Sequence, residues 1–145
     1  MTDQQFSFLM QVIEKTKKHN DVPVSAIIVD QQNNIVSFGV NKCERKSEIT
    51  AHAEIVAINK LSKKIKSLNL NEYKIISTLE PCVMCYGAIK QAKIQNVEYI
   101  LDGTKYGVLK NLCINDIKFT LRKVGTKDQT KNCQEKIESF FKKLR

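Results

Sequence analysis

The chain has 145 residues, a formal net charge of +9, 42% hydrophobic residues and 27% charged ones. That length suits one domain spanning 1–145 around a single core, and the composition argues against fibrous or disordered chains. No stretch approaches the ~20 apolar residues that cross a bilayer, and the start of the chain lacks the basic segment and apolar run of a secretory leader, so a cytoplasmic protein with no membrane partner is expected.

Residues Phe6 to His19 carry apolar side chains at Phe6, Leu9, Met10 and Ile13, a helical spacing. Val22 to Val29 is nearly continuous and apolar, as in a strand buried on both faces. A polar turn over residues 30–34 leads to a second strand, Ile35 to Val40, so the pair reads as a hairpin. Lys42 to Thr50 reads as an irregular loop. A helix beginning near His52 would bury Ile55, Ile58, Leu61 and Ile65. Lys74 to Leu79 is a strand, and Pro81 suits the helix start that follows, where its missing N–H costs nothing. The next helix is expected over Cys82 to Lys93 and a fourth strand over Val97 to Leu101. After a loop over 102–107, Ile117, Phe119 and Leu121 alternate as a fifth strand, and a closing helix runs from Thr126. Helices alternating with strands imply an α/β protein: a mixed sheet of about five strands with helices on both faces.

Five cysteines, an odd number without regular spacing, fit reduced thiols. Cys43, Cys113 and Cys133 read as small core residues. Cys82 and Cys85 differ: at i and i+3 they share one face of a first helical turn, where free N–H groups and the helix dipole favour thiolates. His52 and Glu54 open their own helix. If the two helix starts face each other, His52, Cys82 and Cys85 supply the three N/S ligands of a catalytic zinc site, which leaves its fourth position to water. Two thiolates and an imidazole suit zinc better than harder-ligand metals. Zinc would lower the pKa of that water towards ~7, and Glu54, outside the ligand set, would act as general base and then general acid. A C-x-x-C pair also occurs in redox and closed structural zinc sites. A closed site would have to recruit Cys43 or Cys113, because His19 lies among polar residues and is expected on the surface.

The pairing of His52-Ala53-Glu54 with Pro81-Cys82-Val83-Met84-Cys85 resembles the signature of zinc-dependent cytidine and nucleobase deaminases. The longer run Thr78 to Cys85, followed by Gly87-Ala88, is similar to bacterial tRNA adenosine deaminases, which form inosine at the wobble position of an anticodon. The resemblance implies a three-layer α/β/α cytidine-deaminase-like fold with a five-stranded mixed sheet, one Zn2+ per chain, a homodimer, and a tRNA anticodon stem-loop as substrate. It also implies that Asn41 hydrogen-bonds the flipped base, Val24 packs on it, the chain at Pro81 shapes the pocket, and Lys105 lies in the loop that grips the anticodon. The ending resembles the family's basic helix, which assigns RNA contact to Phe140, Lys142, Lys143 and Arg145. The net charge points the same way, towards a polyanionic partner. This chain departs from the family pattern after the fourth strand: no arginine stands beside Asp102, and Val108 and Leu109 replace small residues. Ser25 also stands where the family often has glycine. Two other readings follow from the same residues: a deaminase of a free guanine, cytosine or cytidine, and a zinc-stabilised RNA-binding subunit without catalysis. Glu54 argues against the last, because a binding module needs no proton carrier.

Overall fold

The computed structural model describes residues 1–145. Five strands form one sheet: β1 (Ser25–Val29), β2 (Ile35–Val40), β3 (Lys74–Leu79), β4 (Asn96–Leu101) and β5 (Thr120–Lys123). Their spatial order is β2-β1-β3-β4-β5. β1 pairs antiparallel with both β2 and β3, while β3–β4 and β4–β5 are parallel, so the sheet is mixed, as expected. The helices are α1 (Asp3–Ile13), α2 (Cys43–Lys46), α3 (Ala53–Ile65), α4 (Val83–Gln91), α5 (Val108–Asn111) and α6 (Lys127–Lys143).

The continuous apolar runs of the central strands reflect burial on both faces. Ile28, Ile75 and Val97 meet Ala57, Ile58, Leu61 and Ile89 of α3 and α4 on one side. Ile27, Ile76 and Ile100 meet Leu9 of α1 and Cys133 of α6 on the other. A core thus lies on each side of the sheet. Helix α1 starts at a capping box between Thr2 and Gln5, and α6 at another between Thr126 and Gln129.

Four local expectations change. Residues 42–50 are not wholly irregular: α2 forms because Asp21 reaches across the chain, accepting from Glu44 N–H at 2.8 Å and from Arg45 Nε at 2.7 Å. The fifth strand starts at Thr120, after Ile117 and Phe119. The Tyr86 hydroxyl donates to Asp116 O at 2.7 Å and accepts from Lys118 N–H at 3.2 Å, which holds residues 116–118 out of the ladder. In α3 the stripe facing the sheet is Ala53, Ala57, Ile58 and Leu61, while Ile65 is exposed. Of the spare cysteines, Cys133 is buried, as expected, but Cys43 is only half-buried and Cys113 is exposed.

Small residues let α3 lie directly on β2. A Cβ added at Gly39 would collide with the Ala53 carbonyl and come within 2.7 Å of Ala57 N. This contact sets the height of the first turn of α3, the turn that carries Glu54 and follows His52. Gly39→Ala is expected to cost about 1–3 kcal/mol by overpacking and to weaken metal retention. Urea unfolding and metal content measure both, and wild-type values for both would contradict this account.

Candidate metal centre and substrate cavity

His52 and Cys82 occupy matching places, each the residue just before the first turn of its helix. Their backbones are extended there (φ −66°, ψ 154° and φ −77°, ψ 172°), and neither side chain bonds back to cap its own helix. Both side chains are therefore free to point beyond the helix ends, towards each other. His52 Nδ1 lies 3.6 Å from Cys82 Sγ and 3.5 Å from Cys85 Sγ. All three ligand atoms fall within 4.8 Å of one another. Bond lengths of about 2.3 Å to sulfur and 2.0–2.1 Å to nitrogen, at a tetrahedral angle, place N and S about 3.6 Å apart. The residues thus fit a tetrahedral zinc ion held through Nδ1 and two sulfurs. No other group of three or more His, Cys, Asp or Glu side chains meets the same spacing, and neither Cys43 nor Cys113 joins this one.

The electrostatics also suit a dication. The Cys82 thiol is lowered to about 4, first by its hydrogen bond with Cys85 and then by His52, against the effect of burial. Cys85 is pushed far upward by that same bond, by burial and by the neighbouring Glu54. His52 is raised by its bond to Cys82, with burial opposing. The cluster alone thus favours one thiolate beside one imidazolium. A +2 ion balances two thiolates and leaves the imidazole neutral, the ligand state that zinc requires.

Glu54 is 4% exposed, and burial raises its pKa. Its Oε2 accepts from the Cys85 thiol at 3.5 Å, and its Oε1 accepts from the Ser77 hydroxyl at 3.3 Å. A carboxyl held beside the ligands, outside the ligand set and biased towards protonation, has the features of a proton carrier. Ser77, on β3, orients it from behind, and no motif marked that serine.

The site opens into a cavity of about 780 Å³. Val24, Asn41 and Lys105 line it with His52, Glu54 and Cys82. The side-chain amide of Asn41 also bonds the main chain, donating to Val22 O at 3.2 Å and accepting from Cys43 N–H at 3.3 Å, so its orientation is set. Pro81 is buried and does not line the cavity; Glu80 does. Nor do Phe140, Lys142, Lys143 and Arg145 line it. The α6 residues that do are Thr130, Gln134, Ile137, Glu138 and Phe141, a stripe at three- and four-residue spacing that charge counting overlooked. Asp102 and Lys123 form a 2.6 Å ion pair at the rim, both partly exposed.

Comparison with known proteins agrees with this site. The family described as "Cytidine and deoxycytidylate deaminase zinc-binding region" matches residues 1–101, and the chain belongs to it. It is 42% identical over 93 residues to the tRNA-specific adenosine deaminase of Rickettsia bellii, covering 63% of this chain and 64% of that one. It thus spans just under two thirds of that relative. It is 30% identical over 141 residues to the tRNA-specific adenosine deaminase of Haemophilus influenzae, covering 95% of this chain and 82% of that one. Among solved structures, one from a study of A-to-I editing by tRNA:A34 deaminases superposes with a TM-score of 0.73 at 23% identity, covering 83% of this chain and 98% of that one. The guanine deaminase of Nitrosomonas europaea superposes with a TM-score of 0.82 at 13% identity, covering 97% and 84%. These two establish the shared fold.

Purified protein is expected to carry about one zinc per chain by elemental analysis. Cys85→Ala should weaken zinc affinity by more than about 100-fold, beyond the losses seen when only outer-sphere partners are removed. Zinc-free wild-type protein under metal-replete conditions would refute the assignment.

Proposed function

We propose that the chain is a zinc-dependent hydrolase that converts adenosine to inosine at the wobble position of tRNA. The observation that carries the chemistry is the convergence of His52, Cys82 and Cys85 beside the buried, unligated carboxyl of Glu54. The choice of tRNA is supported by the names of the relatives and by the net charge of +9.

When bound, zinc supplies the Lewis acidity that makes hydroxide available near neutral pH. Glu54 takes the proton of the attacking water on its carboxylate and delivers it to the ring nitrogen next to the amino-bearing carbon. It then takes the proton of the hydroxyl now on that carbon and hands it to the departing amino group, so adenosine and water become inosine and ammonia. The Ser77 hydroxyl holds one carboxyl oxygen during these transfers. Val24 supplies an apolar surface for the purine, and Asn41, already oriented by the main chain, offers its amide to the base edge. Lys105 and the basic end of α6, with Lys142, Lys143 and Arg145, attract the phosphates without reading sequence. Phe141, and not Phe140, lines the cavity and offers an aromatic face to the RNA.

A second copy of the chain completes the assembly in this reading. Val83 of α4, Leu109 of α5 and Ile114 just beyond it leave apolar surface exposed on elements that touch one another. No helix is long and apolar enough to cross a membrane, and a cytoplasmic location goes with the proposed tRNA substrate.

The test is nucleoside mass spectrometry of an anticodon stem-loop after incubation with the protein, beside a panel of guanine, cytosine and cytidine followed by ammonia release. Inosine should form on the RNA, more slowly as salt rises. Turnover of a free base with none on RNA would transfer the assignment to that substrate. Glu54→Ala should keep its zinc and lose activity by at least about a thousandfold; equal rates for wild type and variant on every substrate would leave only a binding role. Sedimentation should give a dimer, and a monomer at all concentrations would remove that part of the reading.

A further inference from the structure

Glu80 is a buried carboxylate that the chemistry above does not use. It is 4% exposed, lies outside the ligand cluster, and pairs with no lysine or arginine. Burying such a group is costly unless its oxygens are satisfied. They are satisfied by main chain alone: Oε2 accepts from Gly103 N–H at 2.8 Å and Oε1 from Leu109 N–H at 2.7 Å. These two donors bracket the loop that lines the cavity after β4, whose tip carries Lys105 and Tyr106.

The loop also lies flat against the carboxylate. A Cβ added at Gly107 would come 2.7 Å from Glu80 Cδ and Oε2 and 2.8 Å from Oε1. Gly107 has φ −59° and ψ 144°, which any residue adopts, so glycine is needed there for close approach and not for its backbone angles. Main-chain bonds continue the join: Glu80 N–H to Leu101 O at 2.7 Å, Val108 N–H to Pro81 O at 3.0 Å, and a bridge between Cys82 and Gly107. One side chain, two positions before the first sulfur ligand, thus fastens the substrate-facing loop to the chain that carries the metal ligands.

We propose that Glu80 is a positioning residue that fixes the height and orientation of loop 102–107 over the metal centre, and so determines how the nucleobase and its flanking phosphates are presented. The proposal rests on the deaminase reading for its kinetic consequence but not for its structural one. An amide at this position would aim an NH2 at one of the two N–H donors, releasing one end of the loop. A methyl at position 107 would push the loop away from the same carboxylate without changing any charge. The two substitutions therefore break one contact from opposite sides.

The experiment compares wild type, Glu80→Gln, Gly107→Ala and the double variant for zinc content, steady-state kinetics on an anticodon stem-loop, and hydrogen exchange of segment 103–109. The expected result is full zinc occupancy, kcat within about threefold of wild type, KM raised about tenfold or more, and a double variant no worse than the more affected single one. Amides of Gly103 and Leu109 should exchange faster in both single variants. If Glu80→Gln does not fold, Gly107→Ala decides by the same readouts. Lowered melting temperature with unchanged KM would make Glu80 merely structural and overturn the proposal, as would a loss of zinc in proportion to activity. If wild type shows no deamination of the RNA, the functional reading fails separately, and the exchange data still decide the anchor: unchanged protection of 103–109 overturns it.

Discussion

Two helix beginnings aimed at one point hold this site together. The N-termini of α3 and α4 both carry partial positive charge, and bringing them together is unfavourable unless negative groups stand between. The Cys82 sulfur is such a group, and a bound dication would make the Cys85 sulfur a second; the 3.5–3.6 Å separations from His52 Nδ1 record how closely the ends converge. The apolar contacts of Ala57, Ile58 and Leu61 with Ile89 and Ala92 keep the two helices together behind the site. Removing the sulfurs would therefore leave two like-signed helix ends facing each other as well as a lost metal.

Around that point, tasks are divided by depth. The buried layer holds Glu54 between Ser77 and Cys85, where burial favours the neutral carboxyl, as the proposed proton transfers require. The outer layer handles size and charge, with the loop after β4 on one side and the inner stripe of α6 on another. The Asp102–Lys123 pair stands between them at the rim, where solvent screening keeps its contribution to stability small.

The amino-acid sequence disclosed most of this wherever the governing interaction was local. The i, i+3 spacing of Cys82 and Cys85, the helix start at His52 and the apolar run that contains β1 each report on neighbours along the chain. What escaped depended on distant partners. The α2 turn exists because of Asp21, the delayed start of β5 because of Tyr86, and the orientation of Glu54 in part because of Ser77. At the end of the chain, charge drew attention to Lys142, Lys143 and Arg145, while the helical stripe ending at Phe141 is what meets the cavity. Val108 and Leu109 replace small residues of the family pattern, yet Val108 is buried and Leu109 supplies an N–H to Glu80.

Strands β3 and β4 run parallel and finish level, with Leu79 opposite Leu101. The chain leaving β3 supplies the sulfurs, and the chain leaving β4 supplies the wall that a substrate meets. The tip of the second segment, Thr104 to Tyr106, is accordingly free to vary while Gly103, Gly107 and the Leu109 N–H stay fastened to Glu80. A lineage built on this sheet can acquire new substrates without reinventing its catalysis, and departures clustered after residue 101 are where such a history would be written.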